Sequence, residues 1–179
     1  MQKSKSKANL LKITAVSAVL AACSIILGKY LQIPIGDAIR ISFENLPILL
    51  AAFYFGPICA VAVAVVADLV GCLLLGYTIN PIVTLGATAI GLVAGIFAHI
   101  LRRQGFLKVF FTVLPAHLIG SVLIKTFGLA KFYSMPLTEL ILIRLFVYLA
   151  ISAAEIFIIF MLSKNRAFSS QMQKFKSRF

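Results

Sequence analysis

Six apolar stretches, separated by short polar segments, follow one another along the chain. They cover residues 10–27, 46–55, 58–75, 82–101, 109–127 and 137–162. A helix needs about 20 apolar residues to cross a bilayer, and five stretches have nearly that length or more. The stretch 46–55 is too short to cross about 30 Å of hydrocarbon alone. The pattern predicts an all-α integral membrane protein with six transmembrane helices, forming a single membrane domain over residues 1–179.

Composition supports a membrane protein and excludes several other classes. Hydrophobic residues make up 61% of the chain and charged residues only 12%, against about 25% charged in soluble domains. A soluble enzyme, a coiled coil or a disordered chain would need more polar surface than this. We also find no Walker loop, zinc motif or nucleophile elbow. We therefore expect no enzyme activity, no cofactor and no metal, and the energy for any uphill transport would have to come from outside this chain.

The basic residues predict the orientation in the membrane. The net charge is +12, and most cations lie in three clusters. These clusters are Lys3, Lys5, Lys7 and Lys12; Arg102, Arg103 and Lys108; and Lys164, Arg166, Lys174, Lys176 and Arg178. With six spans all three fall on one side, which the positive-inside rule makes cytoplasmic. Both termini are therefore predicted cytoplasmic, and no aromatic-interleaved basic groove points to nucleic acid.

Polar residues inside the apolar stretches form stripes. The sixth stretch carries one stripe, spaced by four, four and three residues: Arg144, Tyr148, Ser152 and Glu155. The fifth stretch carries another, spaced by four: His117, Ser121 and Lys125. Asp68 lies alone in the third stretch. Such spacing puts side chains on one helix face, and ionisable groups in a membrane usually face a cavity or a partner. With Arg40, Glu44, Tyr77 and Asn80 in the outer loops, these stripes predict a cation-rich pocket that opens outward.

Each of these residues also has a structural explanation. Lys125 could extend to the membrane surface, and Asp68 or Glu155 could pair with Lys125 or Arg144. His117 could be a packing residue within the core. The dipeptide at Asn80 and Pro81 could simply end a turn and start a helix. The pattern alone leaves these alternatives open.

Small residues recur at helical spacing in two stretches. The first carries Thr14, Ala18 and Ala22, and the fourth carries Ala87, Gly91 and Gly95. Small residues let helix backbones approach closely in lipid. We interpret the fourth stretch as internal packing. For the first, packing within the chain and docking on a partner protein are equally consistent with the pattern.

Several motifs resemble those of one transporter family. They are Arg40–Pro47 (RISFENLP), the Phe55-Gly56-Pro57 break, Ala67–Gly71 (ADLVG) and Gly91–Gly95 (GLVAG), with Ile124–Leu129 (IKTFGL) and Arg144 further along. Together they resemble the S components of energy-coupling factor (ECF) transporters, and among these the folate family most. The loop Gly76–Thr84 departs from the Pro-Gly-Phe-Thr-like run of well-known folate members, so an S component for another vitamin or precursor remains an alternative.

The resemblance implies a substrate-binding subunit in a prokaryotic plasma membrane. It would bind folate from outside and topple on an ECF transmembrane coupling subunit driven by two ABC ATPases, with Thr14, Ala18 and Ala22 as the docking face. Arg40, Lys125 or Arg144 would bind the glutamate tail, Asp68 and Asn80 the pterin, and Phe43 and Tyr77 would stack on the ring. The candidate substrate-binding residues are Arg40, Phe43, Glu44, Asp68, Tyr77, Asn80, Lys125, Arg144 and Tyr148. A passive channel or facilitator is the rival from another class.

Overall fold

The structure is a computed structural model, and it describes residues 2–35, 39–101 and 105–176. The sequence expectations that concern Asp37, Arg102, Arg103 and Arg178 lie outside these ranges. The helices are α1 (Gln2–Ile25), α2 (Asn45–Phe55), α3 (Pro57–Leu75), α4 (Pro81–Ile100), α5 (Phe106–Ala116), α6 (Lys125–Tyr133), α7 (Leu137–Lys164) and α8 (Arg166–Lys176). The structure also contains two π-helical segments, π1 (Ile26–Tyr30) and π2 (His117–Ile124). A hairpin is formed by β1 (Ile33–Ile35) and β2 (Ile39–Ile41).

Within the described ranges, five helical stretches are long and apolar enough to span a membrane. They are Leu11–Tyr30, Pro57–Leu75, Pro81–Ile100, Phe106–Tyr133 and Leu137–Lys164. The remaining apolar helix, α2, has 11 residues, about 16 Å at 1.5 Å per residue. The prediction of a mainly helical membrane protein with a short second apolar helix is therefore confirmed.

Glycine and proline set the ends of α3 and α4. Gly56 alone connects α2 to α3 and has a φ of 91°, a conformation that glycine adopts without steric penalty. Pro57 then occupies the first turn of α3, where its missing N–H is no loss. Asn80 caps α4 by accepting a hydrogen bond from the Ile82 amide at 3.0 Å. These residues make α2, α3 and α4 an up-and-down group of consecutive helices.

The packing between α3 and α4 depends on small residues, as the sequence predicted for the fourth stretch. A Cβ on Gly95 would lie 2.3 Å from Pro57 Cα, and one on Gly91 would lie 2.9 Å from the Ala60 backbone. No Cβ fits at such distances, so glycine lets the two backbones approach. Ala60 and Ala87 are buried in the same core.

The fifth apolar stretch is one long helix with a change in its hydrogen-bonding pattern. The sequence predicted a helix over 109–127, whereas the structure continues from α5 through π2 into α6. Pro115 lies inside this helix and cannot donate the usual backbone hydrogen bond. The wider turns of π2 begin two residues later, and such turns often occur at functional sites.

Three structural features correct the sequence interpretation. The hairpin β1–β2 pairs Ile33 with Ile41, in a segment we had treated as a loop. Helix α1 begins at Gln2 rather than near residue 10. The basic tail, predicted only to be polar, forms α8, whose Phe168 ring packs edge-on against Tyr54 at 5.8 Å between centroids. Phe168 and Met172 are spaced by four residues, so helical periodicity was present there in a short segment.

Candidate functional site: a polar cavity at one end of the bundle

A cavity of about 390 Å³ lies at the end of the bundle that carries the hairpin. The segment π1, the loop after α3 and the end of α6 contribute to its lining. Its lining residues include four cations, two carboxylates and three tyrosines: Lys29, Arg40, Lys125, Arg144, Glu44, Asp68, Tyr77, Tyr133 and Tyr148. A mixed polar and aromatic lining of this size is typical of sites for small organic ligands.

The structure brings together eight of the nine candidate substrate-binding residues. The eight that line the cavity are Arg40, Glu44, Asp68, Tyr77, Asn80, Lys125, Arg144 and Tyr148. The exception is Phe43, which is half-buried and does not line it. Its two neighbours, Ser42 and Glu44, do line the cavity. The structure therefore does not place Phe43 on the cavity wall.

An ion pair forms part of the cavity floor. Lys125 Nζ donates to Glu44 Oε1 at 2.6 Å, and the two side chains are 5% and 27% exposed. Lys125 Nζ also lies 3.5 Å from Asn45 Oδ1. Lys125 is thus turned into the bundle, and the alternative in which it extends to the membrane surface does not hold.

The electrostatic surroundings of Glu44 keep its carboxylate charged. Burial raises the pKa of Glu44, but the charge and hydrogen bond of Lys125, with Lys29 and Arg144 nearby, outweigh burial and lower it to about 2. Opposite charges at such distances favour the ionised form. Glu44 therefore stays an acceptor, and Lys125 a donor, across the physiological pH range.

Arg144 lies buried on α7 with its guanidinium at the cavity. Its Nε donates to Thr126 Oγ1 at 2.9 Å, and its Nη2 donates to the Ser121 carbonyl at 3.2 Å. The guanidinium carbon also lies 5.0 Å from the centre of the Tyr148 ring, within the range of a cation–π contact. These contacts hold the guanidinium in one orientation.

The mouth of the cavity is bordered by an aromatic ring between two cations. Tyr77, in the loop after α3, has Lys29 Nζ at 5.6 Å and Arg40 Cζ at 5.1 Å from its ring centre. Arg40 comes from β2 and also donates to Gln32 Oε1 at 3.4 Å. The hairpin and the 76–80 loop therefore meet over the entrance through Arg40 and Tyr77.

Asp68 and Asn80 already have partners within the protein. Asp68 Oδ2 accepts a hydrogen bond from the Thr84 hydroxyl at 2.6 Å. Asn80 Nδ2 donates to the Gly128 carbonyl at 3.1 Å, while its oxygen caps α4. The structural explanation of Asn80 as a helix start thus holds, although the residue also lines the cavity.

Sequence reasoning missed Lys29 and Cys72 as cavity residues. The first apolar stretch ends at residue 27, before Lys29, and Cys72 is not among the candidate substrate-binding residues. The structure continues α1 into π1, and Lys29 Nζ lies 3.8 Å from Cys72 Sγ at the cavity wall. A Cβ on Gly28 would lie 2.6 Å from Glu44 Cβ, so the glycine lets π1 approach the floor. A lysine directly after an apolar run was the available signal.

The polar stripe on α7 divides into two parts. Arg144 and Tyr148 line the cavity, while Ser152 and Glu155 are buried below it. Glu155 pairs with His117 Nε2 on π2 rather than with Lys125 or Arg144. Among the residues that the structure describes, no three His, Cys, Asp or Glu side chains come together as a metal site.

The small-residue face of α1 lies on the outside of the bundle. Thr14, Ala18 and Ala22 are all exposed, and larger apolar neighbours such as Leu11 and Val19 are exposed with them. The face is therefore accessible to lipid or to another protein.

Comparison with known proteins places the chain in a family. The family model described as "ECF transporter, substrate-specific component" matches residues 12–164. The solved structure described as "Crystal structure of FolT bound with folic acid" has a TM-score of 0.71 and 23% sequence identity, and covers 86% of this chain and 93% of its own. This likeness concerns the fold. No curated protein sequence matches the chain. The resemblance drawn from the motifs is confirmed at the level of the family: the chain belongs to the substrate-specific components of ECF transporters.

Proposed function

We propose that this chain binds folate in the cavity and is the S component of a folate importer. The observation that carries the proposal is the lining of the cavity, which contains four cationic and two carboxylate side chains of the described residues. Folate combines two tail carboxylates with a flat ring that carries hydrogen-bond donors. Lys29, Arg40 and Arg144 suit the carboxylates, Tyr77 suits the ring face, and Asp68 suits ring donors. The likeness to FolT bound with folic acid supports the same ligand.

The proposed topology has six spans with both termini in the cytoplasm. Lys29 in π1, Glu44 before α2 and the end of α6 at Phe132 and Tyr133 all border the cavity. The start of α1, the end of α4 and the end of α7 therefore lie at the opposite end. The basic residues Lys12, Lys164 and Arg166 belong to that opposite end, which the positive-inside rule makes cytoplasmic. In this topology the half-length α2 leaves the cavity open outward in the plasma membrane.

Delivery of the ligand would use partner proteins. The exposed face of Thr14, Ala18 and Ala22 on α1 fits close approach of another helix, and we propose it as the docking face for the ECF transmembrane coupling subunit. Two ABC ATPases would supply the energy, and toppling of the S component would turn the cavity toward the cytoplasm.

Ligand titration of the purified protein tests the proposal. Calorimetry in mild detergent should give one folate per chain, with thiamine and riboflavin as comparison ligands. Arg144→Gln should weaken folate binding by about 100-fold, because it removes a charged hydrogen-bond donor worth about 2–3 kcal/mol. The matched control is Arg166→Gln, since Arg166 is exposed on α8.

The outcomes separate the ligand from the transporter class. No folate binding together with tight binding of another vitamin would reassign the ligand. Equal folate affinity in wild type and Arg144→Gln would remove Arg144 from the site. Folate uptake into liposomes that contain this chain alone, without ATPases, would instead support a facilitator.

A further inference from the structure

A polar cluster lies below the cavity floor, and none of its residues lines the cavity. It consists of His117 and Ser121 on π2 and Glu155 on α7, and all three are at most 1% exposed. His117 Nε2 pairs with Glu155 Oε2, and His117 Nδ1 lies 3.1 Å from Ser121 Oγ. The other carboxylate oxygen, Glu155 Oε1, has no hydrogen-bond partner among the described residues.

This cluster touches both cavity residues of α7. The Ser121 carbonyl accepts the hydrogen bond from Arg144 Nη2 at 3.2 Å. The His117 ring lies against the Tyr148 ring, with centroids 5.5 Å apart and planes tilted by 31°. The cluster therefore supports the guanidinium at one point and the tyrosine ring at another.

The π-helical segment makes the contact with Arg144 available. The Ser121 carbonyl accepts from two side chains, the Arg144 guanidinium and the Thr126 hydroxyl at 3.3 Å. A carbonyl oxygen has two lone pairs and can accept more than one hydrogen bond. The backbone of π2 at Ser121 therefore contacts both Thr126 and the Arg144 guanidinium of α7.

Stability alone does not account for a pair of ionisable side chains at this depth. Ionisable groups inside a membrane are expensive. A buried ion pair is often no more stabilising than apolar side chains of similar volume. A role in holding neighbouring polar groups gives the cluster a use that apolar residues would not provide.

We propose that His117, Ser121 and Glu155 are positioning residues for the ligand site. They hold the Arg144 guanidinium and the Tyr148 ring in the orientation that receives an anionic group of the ligand. An arginine that is already ordered loses less conformational freedom on binding, which raises affinity. The inference rests on the proposed function for its ligand, but the orientation of Arg144 can be measured without one.

The test replaces both His117 and Glu155, so that neither polar side chain is left buried without its partner. The double variant His117→Phe with Glu155→Leu keeps a ring beside Tyr148 and should fold with unchanged thermal stability or better. The Arg144 Nε–H proton should exchange with water faster in the double variant than in wild type. Its NMR resonance can be assigned because it disappears in Arg144→Lys. Folate affinity should fall by about tenfold, because binding would then have to order one long side chain at an entropic cost of about 1 kcal/mol.

Single variants provide the matched comparison. Ser121→Ala removes the hydroxyl next to His117 and should shift the Arg144 resonance in the same direction. Ser152→Ala removes an equally buried hydroxyl on α7, which bonds to the Leu149 carbonyl of its own helix, and should leave the resonance and the affinity unchanged.

Three results decide between the possibilities. A folded double variant with unchanged Arg144 exchange and unchanged affinity would show that the pair only joins two helices. Faster exchange with unchanged affinity would overturn the role in binding. If wild type binds no folate, the proposed ligand fails, and the resonance alone then supports or refutes the positioning of Arg144.

Discussion

Two pairs of ionisable side chains, Lys125 with Glu44 and His117 with Glu155, differ in their access to a ligand in the cavity. Lys125 and Glu44 join α6 to the start of α2 and line the cavity. His117 and Glu155 join π2 to α7 and are sealed inside the bundle. Lys125 and Glu44 can therefore bind a ligand directly, while His117 and Glu155 can affect ligand binding only through the residues they contact.

The comparison teaches that depth and access separate the roles of similar residues. A carboxylate at the floor keeps some solvent, since the Glu44 side chain is 27% exposed. Glu155 has no exposed surface, so removal of His117 would leave its carboxyl group with neither its partner nor solvent. Breaking the sealed pair should therefore affect stability most, and breaking the open pair should affect binding most.

The largest expected effect is the loss of stability in His117→Ala. The variant leaves Glu155 buried without its hydrogen-bond partner, which costs about 1–3 kcal/mol, and it leaves a cavity in place of the ring, which adds to that cost. Thermal unfolding in detergent should show a large decrease in midpoint. Retention of the wild-type midpoint would break the comparison, because it would mean that Glu155 finds solvent or another partner.

A smaller loss of stability, with a loss of affinity, is expected for Lys125→Met. Met keeps most of the apolar stem and removes the charge, so Glu44 loses its partner but keeps partial solvation. We expect about 1–2 kcal/mol of destabilisation and about tenfold weaker folate binding. Lys131→Met is the control, since Lys131 is exposed on the same helix. An unchanged affinity would move Lys125 to a purely structural role.

The smallest effect concerns pH. The pKa of Glu44 is lowered from 4.5 to about 2, so its carboxylate is charged in both the folded and unfolded chain above about pH 5. The stability difference between wild type and Glu44→Gln should be constant from pH 8 to 5 and should shrink as the pH falls from 4.5 toward 2. Denaturation curves of both proteins at several pH values measure it. A difference that already shrinks near pH 6 would contradict the lowered pKa.

Much of the fold could be read from the sequence because lipid permits few backbone arrangements. Apolar stretches of nearly 20 residues must be helical there, and the predicted limits of the third stretch, residues 58 and 75, agree with α3 to within one residue. The change from α5 to π2 was not predictable, since a proline in an apolar run is compatible with a kink, a break or a wider turn.

The candidate site was partly predictable for a similar reason. Charged residues in apolar stretches rarely face lipid, so Lys125, Arg144 and Asp68 were expected to share a polar space. Their partners could not be assigned, because spacing along one helix does not show which neighbouring helix it faces. Glu155 was considered for Lys125 or Arg144, yet the structure pairs it with His117.

The sequence by itself therefore determined the membrane class, the positions of the long helices, the short α2 and the family motifs. These depend on local hydrophobicity and on residues close together in the chain. Only the tertiary structure decided that Lys29 and Cys72 join the cavity wall, that Phe43 does not line it, and which charges pair. Those outcomes depend on contacts between residues far apart in sequence, such as the 81-residue separation of Glu44 and Lys125, and on close helix approaches that glycine permits.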